Sequence, residues 1–382
     1  MKKAAVLLSA LVFLEIFGFA TNTMAATTSA VVLVDLSHGE SFKGLLPLKH
    51  TNKETGKVET TPGILETIKD FKWYYIGDPT LKDQLGIDSK GTKITADALK
   101  GVDMLIIPQP TNPFYPDEIK AIKSWLQEGG KVLWVAGDSD YGSGAKVQQF
   151  VDSLLDQLGM TNLRVDLCSV EDPVSNAGKP YRVVAIVDPD KNTPGGDMIV
   201  KNFKNGGKVL EHGPGVIAWV ENANGQGKWY QLNSTSKPKD AYIIVRSSKN
   251  GRIVENTMPA AKAYQAGEQG SFPIVAVQIV QLQGKKPDVI IVSGETPIGG
   301  YEPMWASVYY GVKLDGPTFI NNFLHWSIDI AKGKIPLTSS VSSSASSKSS
   351  PAKSPSSSKS GICGPAAIVG LAVVPLLLRR RK

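Results

Sequence analysis

The residues of this 382-residue chain best placed to do chemistry are polar groups that directly follow apolar runs. His38 and Glu40 follow residues 30–35. Gln109 and Thr111 follow 102–107, Asp138, Ser139, Asp140 and Tyr141 follow 131–136, and Glu295 follows 289–292. If each run is a strand of one α/β sheet, these groups collect beyond the strands' carboxyl ends, where open α/β sheets bind ligands. Carboxylates, an amide, an imidazole and a phenol together suit a sugar, a peptide or a Ca²⁺ ion. Asp138 and Asp140 stand two apart, so one could ligate a metal, but a solvated acidic loop is the simpler reading. Ser139 could serve as a hydroxyl nucleophile with His38 as its base. The stretch Gly137-Asp138-Ser139-Asp140-Tyr141-Gly142 lacks nucleophile-elbow spacing, however, and a serine needs an adjacent, oriented base.

Other reactive residue types have plainer readings. The two cysteines, Cys168 and Cys363, fall in different regions and are not expected to pair. Cys168 lies in an apolar β segment and reads as a small core residue. No two of the four histidines stand at metal-ligand spacing, and no cofactor or metal centre is expected. His212 precedes Gly213-Pro214-Gly215 and reads as part of a turn before a strand. His325 reads as a satisfied, partly buried histidine on a closing helix, and Asp188-Pro189-Asp190 as an ordinary turn.

The elements that must position these groups are visible as periodicity. Residues 102–107 and 131–136 are unbroken apolar runs of buried-strand type. Between them Pro116-Asp117-Glu118 starts a helix, with proline in the first turn and acids at the positive end of the dipole. Ile119, Ile122, Trp125 and Leu126 give that helix an apolar stripe, and Gly129-Gly130 ends it. Strand, helix, strand implies a parallel pair with a crossover. Further helices are expected over 63–71, 145–158 and 318–331, and strands over 72–76 and 288–293. Residues 163–294 otherwise hold several short β segments, some separated by Asn-Gly turns. The fold class expected is α/β: a mostly parallel, flavodoxin-like sheet with helices on both faces and a β-rich insertion at about 163–270.

The two ends of the chain speak of address. Lys2 and Lys3 precede an apolar run over 4–20, and Thr23-Met24-Ala25 offers small residues for cleavage, the pattern of a secretory signal peptide over 1–25. Residues 338–360 are a Ser-rich tract, too polar to offset chain entropy by burial, and read as an extended stalk. Residues 362–378 are apolar and end in Arg379-Arg380-Arg381-Lys382, which reads as a short membrane anchor with its cations on the cytoplasmic side. The net charge of +7 comes from these ends: residues 1–25 contribute +1 and residues 338–382 contribute +7, leaving −1 for 26–337. A near-neutral body gives no field for a polyanion, so a nucleic-acid partner is not expected. Asn233-Ser234-Thr235 is an N-glycosylation sequon.

Two resemblances follow from particular words. Cys363-Gly364-Pro365-Ala366-Ala367-Ile368-Val369-Gly370, ahead of Leu376-Leu377-Leu378-Arg379-Arg380-Arg381, resembles the Cys-Gly-Pro sorting signal of exported surface proteins in archaea of the Thermococcus and Pyrococcus kind. That resemblance implies cell-surface retention, with processing or lipid attachment at Cys363. Asp103-Met104-Leu105-Ile106-Ile107-Pro108, Pro113-Phe114-Tyr115-Pro116-Asp117-Glu118-Ile119 and Gly129-Gly130-Lys131-Val132-Leu133-Trp134 resemble the class I glutamine-amidotransferase-like domain in its non-catalytic branch. That branch occurs in auxiliary components of ABC-type transport and gliding systems and in intraflagellar-transport proteins. The active branch carries a nucleophilic Cys after a central strand; the corresponding turn here, 137–142, has none.

The expected function is a membrane-anchored, cell-surface binding or scaffolding protein without catalysis, with transport-system or envelope proteins as partners and a sugar or peptide as ligand. The alternatives are an extracellular hydrolase or amidohydrolase acting through Ser139 and His38, and a structural envelope component. The groups expected at the binding edge are Glu40, Gln109, Thr111, Asp138, Asp140, Tyr141 and Glu295.

Overall fold

The computed structural model describes residues 29–299 and 304–337. Its centre is a ten-stranded mixed sheet. From one edge the order is Lys208–His212, Arg182–Val187, Ala241–Arg246, Pro273–Val280, Asp288–Ser293, Val132–Ala136, Met104–Pro108, Val31–Asp35, Lys72–Ile76 and Asp88–Ser89. Every pairing from Asp288–Ser293 to Asp88–Ser89 is parallel. The four pairings on the other side are antiparallel. The strands at the centre are buried on both faces, which is why they read as unbroken apolar runs rather than alternating ones.

Helices cover both faces of this sheet. Pro116–Leu126 and Gly144–Leu158 share a core with Leu33, Leu105, Leu133 and Ile290. Gly316–Ala331 packs with Val32, Ile106, Trp134 and Ile291, the alternate residues of the same strands, on the opposite face. Phe319, Phe323, Trp326 and Ile330 recur at helical spacing and are all fully buried. Trp134 meets Phe323 edge-on at 5.3 Å and donates its ring N–H to Ser293 Oγ at 2.8 Å. Burying each such side chain is worth about 1.5–3 kcal/mol.

The segment expected as a β-rich insertion divides between two sheets. Arg182–Val187, Lys208–His212 and Ala241–Arg246 extend the central sheet antiparallel. Trp229–Gln231, Gly215–Val220, Leu163–Glu171, Gly251–Val254 and Gln269–Gly270 form a second, five-stranded antiparallel sheet. The two sheets are pinned where Gly215 donates its N–H to the Gly294 carbonyl at 2.9 Å. The approach is so close that a Cβ on Gly294 would lie 1.8 Å from the Gly215 carbonyl oxygen.

Helix is scarcer than the periodicity predicts. The expected helix over 63–71 is a single turn, Ile64–Thr67. Trp73 takes the Ile68 carbonyl as acceptor, and the chain must be extended by Lys72 to pair with Val31, which leaves no room for a second turn. The strand expected over 102–107 runs Met104–Pro108. Val102 instead closes the turn after Leu99, and its carbonyl accepts the Trp125 ring N–H and the Lys131 ammonium.

The expected leader over 1–25, the stalk over 338–360 and the anchor over 361–382, with Cys363, lie outside the described residues. Among the described residues no helix is long and apolar enough to cross a membrane.

Candidate ligand site at the carboxyl edge of the sheet

The sequence-predicted groups sit at one edge of the sheet but in separate clusters. The first is built on the turn after Val31–Asp35. Asp35 Oδ1 accepts the backbone N–H and the hydroxyl of Ser37, closing an Asx turn. Its Oδ2 lies 2.7 Å from His38 Nδ1. Glu40 Oε2 accepts the His38 backbone N–H at 2.7 Å. Gly39 turns the chain at φ 83°, and a Cβ there would meet Thr111 Oγ1 at 2.1 Å, so the position requires glycine. Thr111 and Asn112 donate their backbone N–H groups to the His38 carbonyl. Thr111 therefore braces this turn.

His38 is almost fully buried, with its ring against Phe114 at a centroid distance of 4.1 Å. Its second nitrogen, Nε2, lies 3.1 Å from Glu118 Oε2. Glu118 is the third residue of helix Pro116–Leu126, and it also accepts the backbone N–H groups of Tyr115 and Ile94. It thus caps its own helix, ties down Ile94 and orients His38. Burial works to lower the His38 pKa, but the hydrogen bonds and charges of Asp35 and Glu118 outweigh it and hold the imidazolium above its ordinary range. Glu40 is pushed well above the usual carboxylate range by burial and then by the Asp35 charge.

The second cluster joins the ends of Met104–Pro108, Val132–Ala136 and Asp288–Ser293. Gln109, at φ 44°, donates its amide N–H to Glu295 Oε1 at 2.6 Å. Glu295 also accepts the backbone N–H of Thr296 at 2.8 Å and of His212 at 3.3 Å. Burial raises its pKa well above the carboxylate range, and the charges of Asp138 and Glu211 add to that. Asp138 caps the Ser139 N–H and is pushed up to about 6 by burial. Burial and the Arg182 charge pull His212 down to about 4, so its imidazole is neutral at ordinary pH.

Beside this cluster opens a cleft of about 380 Å³. Ser139, Tyr141, Ser169, Glu171, Tyr181, His212, Gly213, Val254 and Asn256 line it. Tyr141 is 74% exposed, and the Tyr181 ring meets His212 edge-on at 5.5 Å. The reading of Asp138-Ser139-Asp140 as a solvated acidic loop is corrected here. Asp140 is fully buried, and its carboxylate accepts hydrogen bonds from the Ser169 hydroxyl, from both nitrogens of Asn256 and from the Thr257 N–H. A carboxylate among that many donors holds two cleft walls together and has no capacity left for a ligand.

The Ser139 and His38 pairing is also corrected. Both ring nitrogens of His38 face carboxylates, Asp35 and Glu118, and the Ser139 hydroxyl accepts the Tyr141 N–H. His38 therefore has no lone pair turned toward Ser139. Cys168 is buried with its thiol pushed up by burial, as a core residue should be. His212 ends one strand and Gly215 begins the next. His325 bonds the Asn321 carbonyl and Asp70, both at 2.7 Å. Asp190 does more than turn the chain, since it pairs with Lys237 and Arg246. Asn233 is exposed, with its side-chain oxygen taken by Thr235 and Ser236.

Glu118, Glu171, Tyr181, Glu211 and Asn256 were not anticipated from the sequence. Glu118 reads there only as a helix-start acid. Glu211 carried one usable signal, a lone acid after Val209 and Leu210.

Taken together, fold and edge define a mixed α/β protein with a polar, aromatic-rimmed cleft at the carboxyl ends of its central sheet. No family model and no curated protein matches the chain. Among solved structures, the mmIFT52 N-terminal domain is similar at 14% identity, covering 78% of this chain and 97% of that one, with a TM-score of 0.44. A protein described as ThuA-like, from Bacteroides uniformis, is similar at 15% identity, covering 84% of this chain and 97% of that one, with a TM-score of 0.35. At these values neither likeness supports an argument about function.

Proposed function

We propose that this chain is an exported binding protein, tethered to the cell surface by its C-terminus, whose α/β body takes a small neutral ligand of the carbohydrate class. In its finer classification the body is read as flavodoxin-like, of the non-catalytic class I glutamine-amidotransferase-like kind. The observation that carries the binding reading is the composition of the cleft. It presents two tyrosine rings, the Ser139 hydroxyl, the Asn256 amide oxygen and the Glu171 carboxylate around a histidine kept neutral, while Ser169 and the Asn256 nitrogens are bonded to Asp140. Sugars bind such sites by stacking on rings and exchanging water for hydroxyl, amide and carboxylate partners. The engagement of both His38 nitrogens favours binding over hydrolysis. The surface address rests on the sequence patterns over 1–25 and 338–382.

Titration of the full chain with a panel of neutral oligosaccharides by calorimetry tests the ligand class. One sugar is expected to bind with saturation, Tyr141→Ala is expected to weaken it at least tenfold, and Ser139→Ala is expected to yield no change in product formation. Saturable binding of peptides alone, or turnover abolished by Ser139→Ala, would sink the reading. The address is checked separately by fractionating native cells and measuring the intact mass of the membrane-associated polypeptide, including any adduct on Cys363.

A further inference from the structure

Asp35, His38 and Glu40 bring three potential ligand atoms within 4.8 Å of one another, all on buried residues. The side chains of Asp35 and Glu40 are 0% exposed and that of His38 is 4% exposed. Within this cluster Glu40 Oε1 is buried, accepts no hydrogen bond and stands 3.9 Å from His38 Nδ1. A buried carboxylate oxygen is ordinarily satisfied, and leaving one without a donor costs free energy.

We propose that Asp35, His38 and Glu40 bind a divalent first-row transition cation, with Zn²⁺ as the best-suited ion. Imidazole nitrogen and carboxylate oxygen are both ligands of Zn²⁺, and three protein ligands leave the fourth position of a tetrahedral shell for water. Glu118 supplies the outer partner that metal-bound histidines normally have. It accepts the Nε2 proton at 3.1 Å, which directs the Nδ1 lone pair toward Asp35 and Glu40. In a tetrahedral shell with bonds of about 2.0–2.1 Å the donor atoms stand roughly 3.3 Å apart. The Asp35–His38 separation of 2.7 Å must therefore open and the His38–Glu40 separation of 3.9 Å must close, each by roughly 0.6 Å. Uptake of the ion displaces to the buffer whatever protons its three ligands carry. The site is independent of the ligand proposed for the cleft.

The test is equilibrium dialysis of chelator-treated full-length protein against ZnCl₂, with CoCl₂ as a spectroscopic substitute. One equivalent of Zn²⁺ is expected to bind with saturation, and Co²⁺ is expected to give the intense visible absorption of a tetrahedral site. Glu40→Gln is expected to lose at least tenfold in affinity. Glu118→Gln is expected to lose about 10–100-fold while keeping one-to-one stoichiometry. His325→Gln, which removes the half-exposed His325–Asp70 pair, is expected to leave the equivalent intact. Circular dichroism of the metal-free Glu40→Gln protein establishes that it is folded. Absence of the equivalent in wild type, its persistence at full affinity in folded Glu40→Gln, or its loss in His325→Gln would each overturn the proposal.

Discussion

Replacing Asp140 with alanine is expected to destabilise the protein by about 3–5 kcal/mol and to open the cleft. The estimate follows from what the change leaves behind. Asp140 is fully buried and lies 116 residues from Asn256, yet its carboxylate accepts the backbone N–H groups of Asn256 and Thr257, the Asn256 side-chain amide and the Ser169 hydroxyl. Hydrogen bonds to a charged acceptor are worth about 1.5–3 kcal/mol each, and every orphaned buried donor costs about 1–3 kcal/mol. The cost of desolvating the carboxylate offsets part of the sum, which is why the net loss is smaller than four bonds would suggest. Asn256 and Ser169 both line the cleft, so ligand affinity should fall along with stability. Urea denaturation followed by fluorescence measures the first effect and calorimetry the second. A midpoint within experimental error of wild type would show that Asp140 does not hold these walls.

Glu211→Met should act in the opposite sense, stabilising the protein by about 1–3 kcal/mol at pH 8. Glu211 sits in strand Lys208–His212 at 0% exposure, and neither carboxylate oxygen has a hydrogen-bond partner. Burial alone raises its pKa well above the ordinary 4.5. Because the folded-state value exceeds the unfolded one, the stability Glu211 contributes is fully present only below the unfolded pKa. It is lost as pH rises through the folded pKa. The advantage of methionine should therefore be small near pH 4 and grow toward pH 8. Denaturant midpoints of both proteins across that range read the difference directly. A variant less stable than wild type at pH 8 would mean that the carboxylate is compensated in the folded protein, and the argument would fail. The Glu211 charge also helps to raise the Glu295 pKa at the edge of the cleft.

The fold was legible in proportion to how local its signals are. The strands Lys72–Ile76 and Asp288–Ser293 and the helix start at Pro116 stand where the apolar runs and the proline predict. The parallel pairing of Met104–Pro108 with Val132–Ala136 followed from the helix between them. By contrast, nothing in residues 182–246 foretold that three of their strands would extend the central sheet while others formed a second one. A short amphipathic strand carries no record of which edge it will join, because either pairing buries the same apolar face.

The same division runs through the site. By itself the sequence determined where the strands end, and hence that His38, Gln109, Asp138 and Glu295 would all reach one edge; it also placed Cys168 in the core and left the 137–142 turn without a thiol nucleophile. Only the tertiary structure decided what those groups do. It set His38 between Asp35 and Glu118, tied Gln109 to Glu295 across 186 residues, and sank Asp140 among the donors of a distant segment. Apolar patterning is legible because a residue's preference for burial depends on its own surface and its neighbours in the chain. A buried polar group takes its meaning from the partners that satisfy it, and sheet order supplies those partners from far along the chain.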